Sequence, residues 1–369
     1  MRSVAIIGAG PVGAVAALAL HHLGANNVTL FDAAPQGGPV IDRNLALSHG
    51  SMLLLSRLGV WEHIHPKPHP IAEIEVNQQG GFGQALIRAS EQGVAALGYT
   101  LSYASLQHAL TLVLARTSVN RRFNARALKI QSSSIEFADH CEASADLVVV
   151  ADGGGDLLTG CAPTVKDPLQ TAILCQVKAS QATRDRALER FTPAGPLALL
   201  PTGPLHYAVV WTHARSAAEA RLQQAQEAPE AFCKALENSL NFGTGTLTLA
   251  SAVKSHALTL RYLTPRQQGK VVAIGNAAQS LHPIAGQGLN LGLRDAWVFA
   301  ECMSAGKSLE DFANSREHDR QSGIALTQSL LGIFGLPSWA NLPRGLGIAL
   351  FDAFAPLKAG LTKRLMLGF

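Results

Sequence analysis

Residues 3–32 leave this chain few ways to fold. The run from Ser3 to Ile7 is apolar and β-branched, as a buried parallel strand requires. It gives way to GAGPVG, which sets Gly8, Gly10 and Gly13 in the G-x-G-x-x-G spacing with Pro11 and Val12 between them. An Ala-rich helix follows to about Gly24, and a second strand, Asn27 to Phe31, ends at Asp32, 19 residues beyond Gly13. Each residue type has a task in a dinucleotide turn. Gly8 permits the tight bend, Gly10 lets the backbone approach a pyrophosphate, and Gly13 lets the helix pack close to the strand. The free amides and dipole of the helix N-terminus favour phosphate, and Asp32 is placed to accept hydrogen bonds from ribose hydroxyls. A lone glycine motif is weak, because such turns also arise for packing. Here strand, helix, strand and acid fall at matching distances, which predicts dinucleotide binding. The motif alone does not separate FAD from NAD.

The same opening run, one Arg followed by small apolar residues, resembles a secretory signal in composition. The glycine spacing, Pro11 and the immediate second strand argue against that reading. No segment reaches the ~18 uninterrupted apolar residues that a membrane span needs. At 369 residues, 47% of them hydrophobic and 15% charged, the chain can bury a large core. A net charge of +4 without a dense Lys/Arg tract makes nucleic acid an unsuitable partner, while a weakly basic face suits an anionic membrane. Cys141, Cys161, Cys175, Cys233 and Cys302 form no CxxC pair and no metal-ligand spacing. They read as reduced thiols of a cytoplasmic protein, and no metal site is expected.

A second constellation lies at residues 270–296. Lys270 to Ile274 reads as a buried strand, and GNAAQSLHPIAGQGLNLGLRDA begins at Gly275. Pro283 ends the loop, Gly286, Gln287 and Gly288 expose backbone N–H groups, and Leu289 and Asn290 open a helix. Together with GAGPVG, the stretch DRNLALSHGSMLLLSRLGVWEHI and the VVVADG strand ending at Asp152 and Gly153, these motifs resemble the flavoprotein aromatic hydroxylases of the para-hydroxybenzoate hydroxylase superfamily. Within it the chain is most similar to the ubiquinone-biosynthesis hydroxylases, of the 2-polyprenyl-6-methoxyphenol hydroxylase type. ERFTPAGPLALLP, GNAAQ and the closing KRLMLGF fit that subgroup, and the likeness spans essentially the whole chain.

The resemblance implies FAD as cofactor, NAD(P)H as a transient co-substrate, and a flavin hydroperoxide that attacks an electron-rich phenol ring. It assigns Gly275 a close approach to the cofactor and Asn276 a contact with a ribityl hydroxyl, where the family usually has Asp. Asn still accepts through its carbonyl and also donates; a plain turn residue is the alternative. It places Arg43 near the phosphates, against the reading of a surface arginine. It places Gln107 near the cofactor, against that of a helix surface. His282 and Pro283 lie near the ring by the same likeness, with His282 as a structural hydrogen-bonding residue rather than a base. Arg294 and Asp295 read as structural. The helix start from Gly286 to Asn290 would face the end of the flavin ring where negative charge gathers on reduction. One departure stands out: the family continues ADG-x-x-S with an Arg three places later, and this chain has Asp156 and Thr159 there.

The expected fold is α/β, a Rossmann-like FAD-binding domain with an inserted antiparallel-sheet substrate domain and a helical C-terminal tail. Residues 1–71, 101–164 and 263–300 are assigned to the first, 72–100 and 165–262 to the second, and 301–369 to the tail. The tail carries Trp339, Phe351 and Phe354 at helical spacing, which suits either a membrane-surface helix or packing on the core. The resemblance implies a polyprenylated phenol and dioxygen as substrates. It further suggests a ubiquinone-biosynthesis complex and peripheral contact with the inner membrane. Another aromatic substrate or ring position, or a non-catalytic FAD- and isoprenoid-binding subunit, are the alternatives.

Overall fold

The computed structural model describes residues 2–38, 43–154, 156–158, 160–282 and 284–368. Pro283 and Thr159, both singled out above, lie outside these residues. The first strand, β1 (Val4–Ile7), is buried along its whole length and sits near the middle of a six-stranded sheet. It pairs in parallel with β2 (Val28–Phe31) on one side and with Leu147–Val150 on the other. Leu147–Val150 pairs in turn with Val271–Ala273, also in parallel, so the two ends of the site motif share one sheet. Side chains alternate along β1 as the strand period demands. Val4 and Ile6 join a core with helices α1 (Pro11–His22), α2 (His49–Arg57) and α3 (Tyr103–Leu114). Ala5 and Ile7 face a small antiparallel meander over residues 127–144, through Ile130, Ile135 and Phe137.

A second sheet of eight strands stands beside this layer. Its strands Gln170–Ala179, Arg186–Thr192, Gly195–Gly203 and His206–Ala214 are long, and their alternation separates two environments. Ile173, Val177, Leu199 and Trp211 pack on the outer helices Arg215–Glu227 and Pro229–Leu240, with Phe232 and Leu236. The neighbouring residues Leu174, Ala198, Leu200 and Val210 turn the other way and line a cavity. The sheet is antiparallel except at one place, where Arg186–Thr192 runs parallel to Glu73–Gln78. That pairing spans more than a hundred residues of intervening chain, too far for a hairpin to set its direction.

The strand Gly98–Ser102 pairs with β3 (Asn44–Ser48) and with His69–Ile71, and it runs through the expected boundary between residues 100 and 101. Thr100 Oγ1 also donates to the Pro201 carbonyl, joining this strand to the second sheet. The tail is helical, with Leu309–Phe334, Asn341–Ala353 and Ala355–Leu367, the last two meeting at 89°. No single helix among the described residues is long and apolar enough to cross a membrane.

Candidate active site

The glycine turn is shaped by contact with the protein itself. Gly8 has φ +105°, and a Cβ there would lie 2.5 Å from the Ala151 carbonyl oxygen. A Cβ at Gly13 would strike the Gly8 carbonyl oxygen, so helix and strand meet where only hydrogen fits. Gly10 differs, since its Cβ would find nothing nearer than the Tyr103 hydroxyl at 3.5 Å. The space over Gly10 is thus open, on a cavity that Gly8, Gly10, Pro11 and Val12 line. Asp32, at the end of β2, accepts from Ala9 N at 2.6 Å and from Ala34 N at 2.7 Å. Each carboxylate oxygen has a second lone pair, so Asp32 can still accept from a ligand at the cavity it lines.

Around this turn the expected residues divide into those that line the cavity and those that brace it. Arg43, Asp152, Gly153 and Asn276 line it. Arg43 also lies over the Tyr103 ring, 5.4 Å from its centroid. Asn276 is exposed to the cavity, and no hydrogen bond holds its side chain among the described residues. Gln107 braces: Nε2 donates to Ala9 O at 2.8 Å and Gly37 O at 3.1 Å, tying the glycine turn to the loop after β2. Its Oε1 is buried without a partner among the described residues. Gly275, with φ +59°, gives its space to Val12, whose Cγ1 would be 2.9 Å from an added Cβ. On the Cβ side of Gly275 the close neighbour is thus α1.

The helix Gln287–Ser304 begins at Gly286, φ +59°, with no side chain capping its first amides. Gln287, Gly288, Leu289 and Asn290 all line the cavity, so the first turn of the helix, the positive end of its dipole, opens on it. Asn290 is fully engaged. Its Oδ1 accepts from Ser48 N at 2.9 Å and Ser51 Oγ at 2.7 Å, and its Nδ2 donates to Ala46 O and Gly286 O. One buried amide thereby fixes the helix start against β3 and α2. His282 is buried, its Nδ1 accepts from Ile284 N at 3.3 Å, and burial pushes its pKa down to about 4. The imidazole is therefore neutral at pH 7.

Sequence reasoning gives Arg294 and Asp295 a structural ion pair or cap but names no partners; the structure shows a charge cluster behind this helix. Asp295 is fully buried, with Arg266 at 2.6 Å and Arg316 at 2.8 Å. Burial alone would raise its pKa, but the two guanidiniums outweigh that and hold it at about 2. Arg294 pairs with Asp319 at 3.0 Å, and Arg316, paired with both Asp295 and Asp319, joins the two carboxylates in one cluster. No local pattern connects Asp295 with Arg266, which arrives from a distant turn. The altered ADGGGD loop also has an unforeseen partner: Arg261 donates to the Gly154 carbonyl and pairs with Asp156 at 2.9 Å. A guanidinium thus reaches this loop from another strand, although the family's local arginine is missing.

The residues named above as lining the cavity share one space of ≈ 1820 Å³, which continues from the glycine turn along the second sheet to the tail. Residues 1–324 match the family model described as FAD binding domain. The chain belongs to this family. FAD is accordingly its cofactor, and the open space at Gly10, the acceptor at Asp32 and the bare helix start fit a phosphate- and ribose-bearing flavin. Ubiquinone hydroxylase UbiL of Rhodospirillum rubrum is 28% identical over 97% of this chain and 88% of its own length. The 3-demethoxyubiquinol 3-hydroxylase of Escherichia coli is 28% identical, covering 98% and 96%. The human ubiquinone biosynthesis monooxygenase COQ6 is 26% identical, covering 96% and 90%. Among solved structures, a Klebsiella pneumoniae HpxO complexed with FAD superposes with TM-score 0.77 at 15% identity, over 100% and 99% of the two chains. p-Nitrophenol 4-monooxygenase from Pseudomonas putida gives 0.76 at 15%, over 100% and 98%. The protein has the α/β fold of the FAD-dependent hydroxylases and is a FAD-dependent monooxygenase.

Proposed function

We propose that this enzyme hydroxylates the aromatic ring of a polyprenylated phenol in ubiquinone biosynthesis, with NAD(P)H as reductant and dioxygen as oxygen source. The observation that carries this reading is the extent of the cavity. At ≈ 1820 Å³ it exceeds the ~300–1,000 Å³ of an ordinary small-molecule pocket, and past the glycine turn its walls are mostly apolar. A dinucleotide fills one end, and a long hydrocarbon chain suits the other. We assign residues 1–71, 101–164 and 263–300 to the cofactor, 72–100 and 165–262 to the substrate. Gly8, Gly10, Pro11, Val12, Gly13, Asp32, Arg43, Asp152, Gly153 and Asn276 would hold FAD, with Gln107, Gly275 and Asn290 bracing its cradle.

Bound there, FAD supplies the redox chemistry that links NAD(P)H to dioxygen. The first-turn amides of Gln287–Ser304 place fixed positive dipole ends at the cavity, where they stabilise negative charge without reorganising. The apolar face of the second sheet excludes water and orients the ring. His282, neutral and turned to the Ile284 amide, takes no part in proton movement.

The tail gives the long substrate a route. Trp339, Ile348, Phe351 and Met366 line the cavity, while Leu342, Leu350 and Phe354 lie away from it and are more than half exposed. We assign this outer surface to peripheral contact with the inner membrane, and membership of a ubiquinone-biosynthesis complex is part of the same proposal. Purified holoprotein should oxidise NAD(P)H faster when a prenylated phenol is added and should yield a product one oxygen atom heavier. No stimulation by any prenylated phenol, at stoichiometric FAD, overturns the reading. Sedimentation with anionic vesicles should be lost in Leu342→Glu/Phe354→Glu, and equal sedimentation would remove the membrane assignment.

A further inference from the structure

We infer that Glu189 orients the ring hydroxyl of the phenolic substrate and accepts its proton, an inference that rests on the function proposed above. Its basis is a single row across the second sheet. Residue pairing sets Ala85 beside Val76, Val76 beside Glu189, Glu189 beside Ala198, Ala198 beside Val210, and Val210 beside Leu174. All six line the cavity, and five are apolar. The next row along the strands, from Ile87 through Ile74, Ala187, Leu200 and Ala208, is apolar as far as Gln176.

No ion pair or hydrogen bond engages Glu189 among the described residues. The charges nearest in sequence, Arg186 and Arg190, point to the other face, where they meet Glu73 and Asn77. From the helix Leu309–Phe334, Phe334 stacks on Phe191, ring centroids 3.4 Å apart, and brings no charge. The remaining ionisable groups along this wall are Cys175, Lys254 and His256, with Arg344 from the tail donating to the Ile333, Phe334 and Leu336 carbonyls. A carboxyl alone on an apolar wall is costly unless a ligand supplies its donor. Glu189 keeps part of its surface accessible, and that surface opens on the cavity; even so, burial pushes its pKa up to about 7, with no neighbouring charge offsetting the rise. Glu189 sits on the strand paired with the one that carries Pro201. Its partner Ala198 lies three residues, roughly 10 Å along the strand, from Pro201, which Thr100 holds.

A phenol O–H donates to the Glu189 carboxylate. As a C–O bond forms at the ring, the O–O bond derived from dioxygen breaks and its second oxygen leaves at the level of water, the two electrons coming from NAD(P)H. The phenol proton passes to the carboxylate and the O–H electron pair flows into the ring, raising its nucleophilicity. When the ring regains aromaticity, the hydrogen of the attacked carbon leaves as a proton to that departing oxygen, and Glu189 returns its own to the ring oxygen.

The test uses FAD-loaded full-length protein and a phenol bearing one short isoprenoid chain, with product formation and NADPH oxidation measured from pH 5.5 to 9. Wild type should lose kcat/KM on the acid side of pH about 7. Glu189→Gln keeps an acceptor, so it should retain FAD and bind the phenol within about threefold, lose about 100-fold in kcat, and lack the acid limb. Glu189→Asp, which keeps the carboxylate, should retain the limb at a reduced rate. An active wild type with an indifferent Glu189→Gln overturns this inference alone. A wild type that oxidises no prenylated phenol overturns the proposed function, and the inference with it.

Discussion

A methyl group added at Gly13 would run into the Gly8 carbonyl oxygen, whereas one added at Gly10 would meet only the Tyr103 hydroxyl at 3.5 Å. Two glycines of one motif therefore answer to different partners, the first to the protein and the second to the ligand. Gly13→Ala should cost about 1–3 kcal/mol in urea denaturation, as overpacking does. Gly10→Ala should leave the urea midpoint of the flavin-free protein unchanged and weaken FAD binding at least about tenfold, about 1.4 kcal/mol, in a fluorescence titration. Matching losses of stability in both variants would refute the distinction. Asn276 allows a third test at the same scale. Its side chain is free of the described protein residues and retains an acceptor when changed to Asp. Asn276→Asp should hold stoichiometric flavin, and an absorbance ratio below half that of wild type would show that the amide donor is needed.

Helices are ordinarily positioned by their apolar faces, yet the start of Gln287–Ser304 is positioned by one amide. Asn290 joins it to Ser48, 242 residues away in the chain, and holds the Ala46 and Gly286 carbonyls as well. Asn290→Ala leaves those buried groups without partners and should lower stability by about 2–4 kcal/mol in urea melts, with FAD retention falling in parallel. A change under about 0.5 kcal/mol would mean that packing alone places the helix. This element also shows what the sequence can and cannot reveal. Gly8, Gly13 and Asp32 were legible because their partners lie within one strand-helix-strand unit. The bare helix start after Gly286 was legible from glycine placement. The partners of Asn290 and Asp295 were not, because an inward polar residue names no partner when that partner is more than two hundred residues away or arrives from another turn. Glu189 was hidden differently: alternation in ALERF marks two faces but not what either face meets.

Among the described residues, two histidines kept neutral by burial and one reluctant carboxyl have titrations that oppose each other. His213 and His282 are each 4% exposed, and burial presses both pKa values down to about 4, from about 6.5 in the unfolded chain. Their contribution is complete above pH 6.5 and is lost as the pH falls toward 4, because only the unfolded chain takes the proton readily. Glu189 runs the other way, its contribution present below about 4.5 and lost as the pH rises through about 7. Asp295, held at about 2, adds nothing to this window and weakens the fold only below about pH 4. Stability should therefore decline from pH 6.5 to 4.5, with a shallower decline in His213→Gln/His282→Gln. Equal slopes in urea midpoints would remove the histidines as its cause. The sheet order noted earlier has a consequence in time. The strand Val271–Ala273 and the helix that follows it complete a layer begun by β1, so Gly13 leaves the ribosome 275 residues before Gly288. At about 5–20 residues per second, that interval is roughly 14–55 s. For that interval the N-terminal turn exists without the helix that closes its site. Retention of flavin then works as a receipt for finished translation, issued only to chains that have passed residue 290.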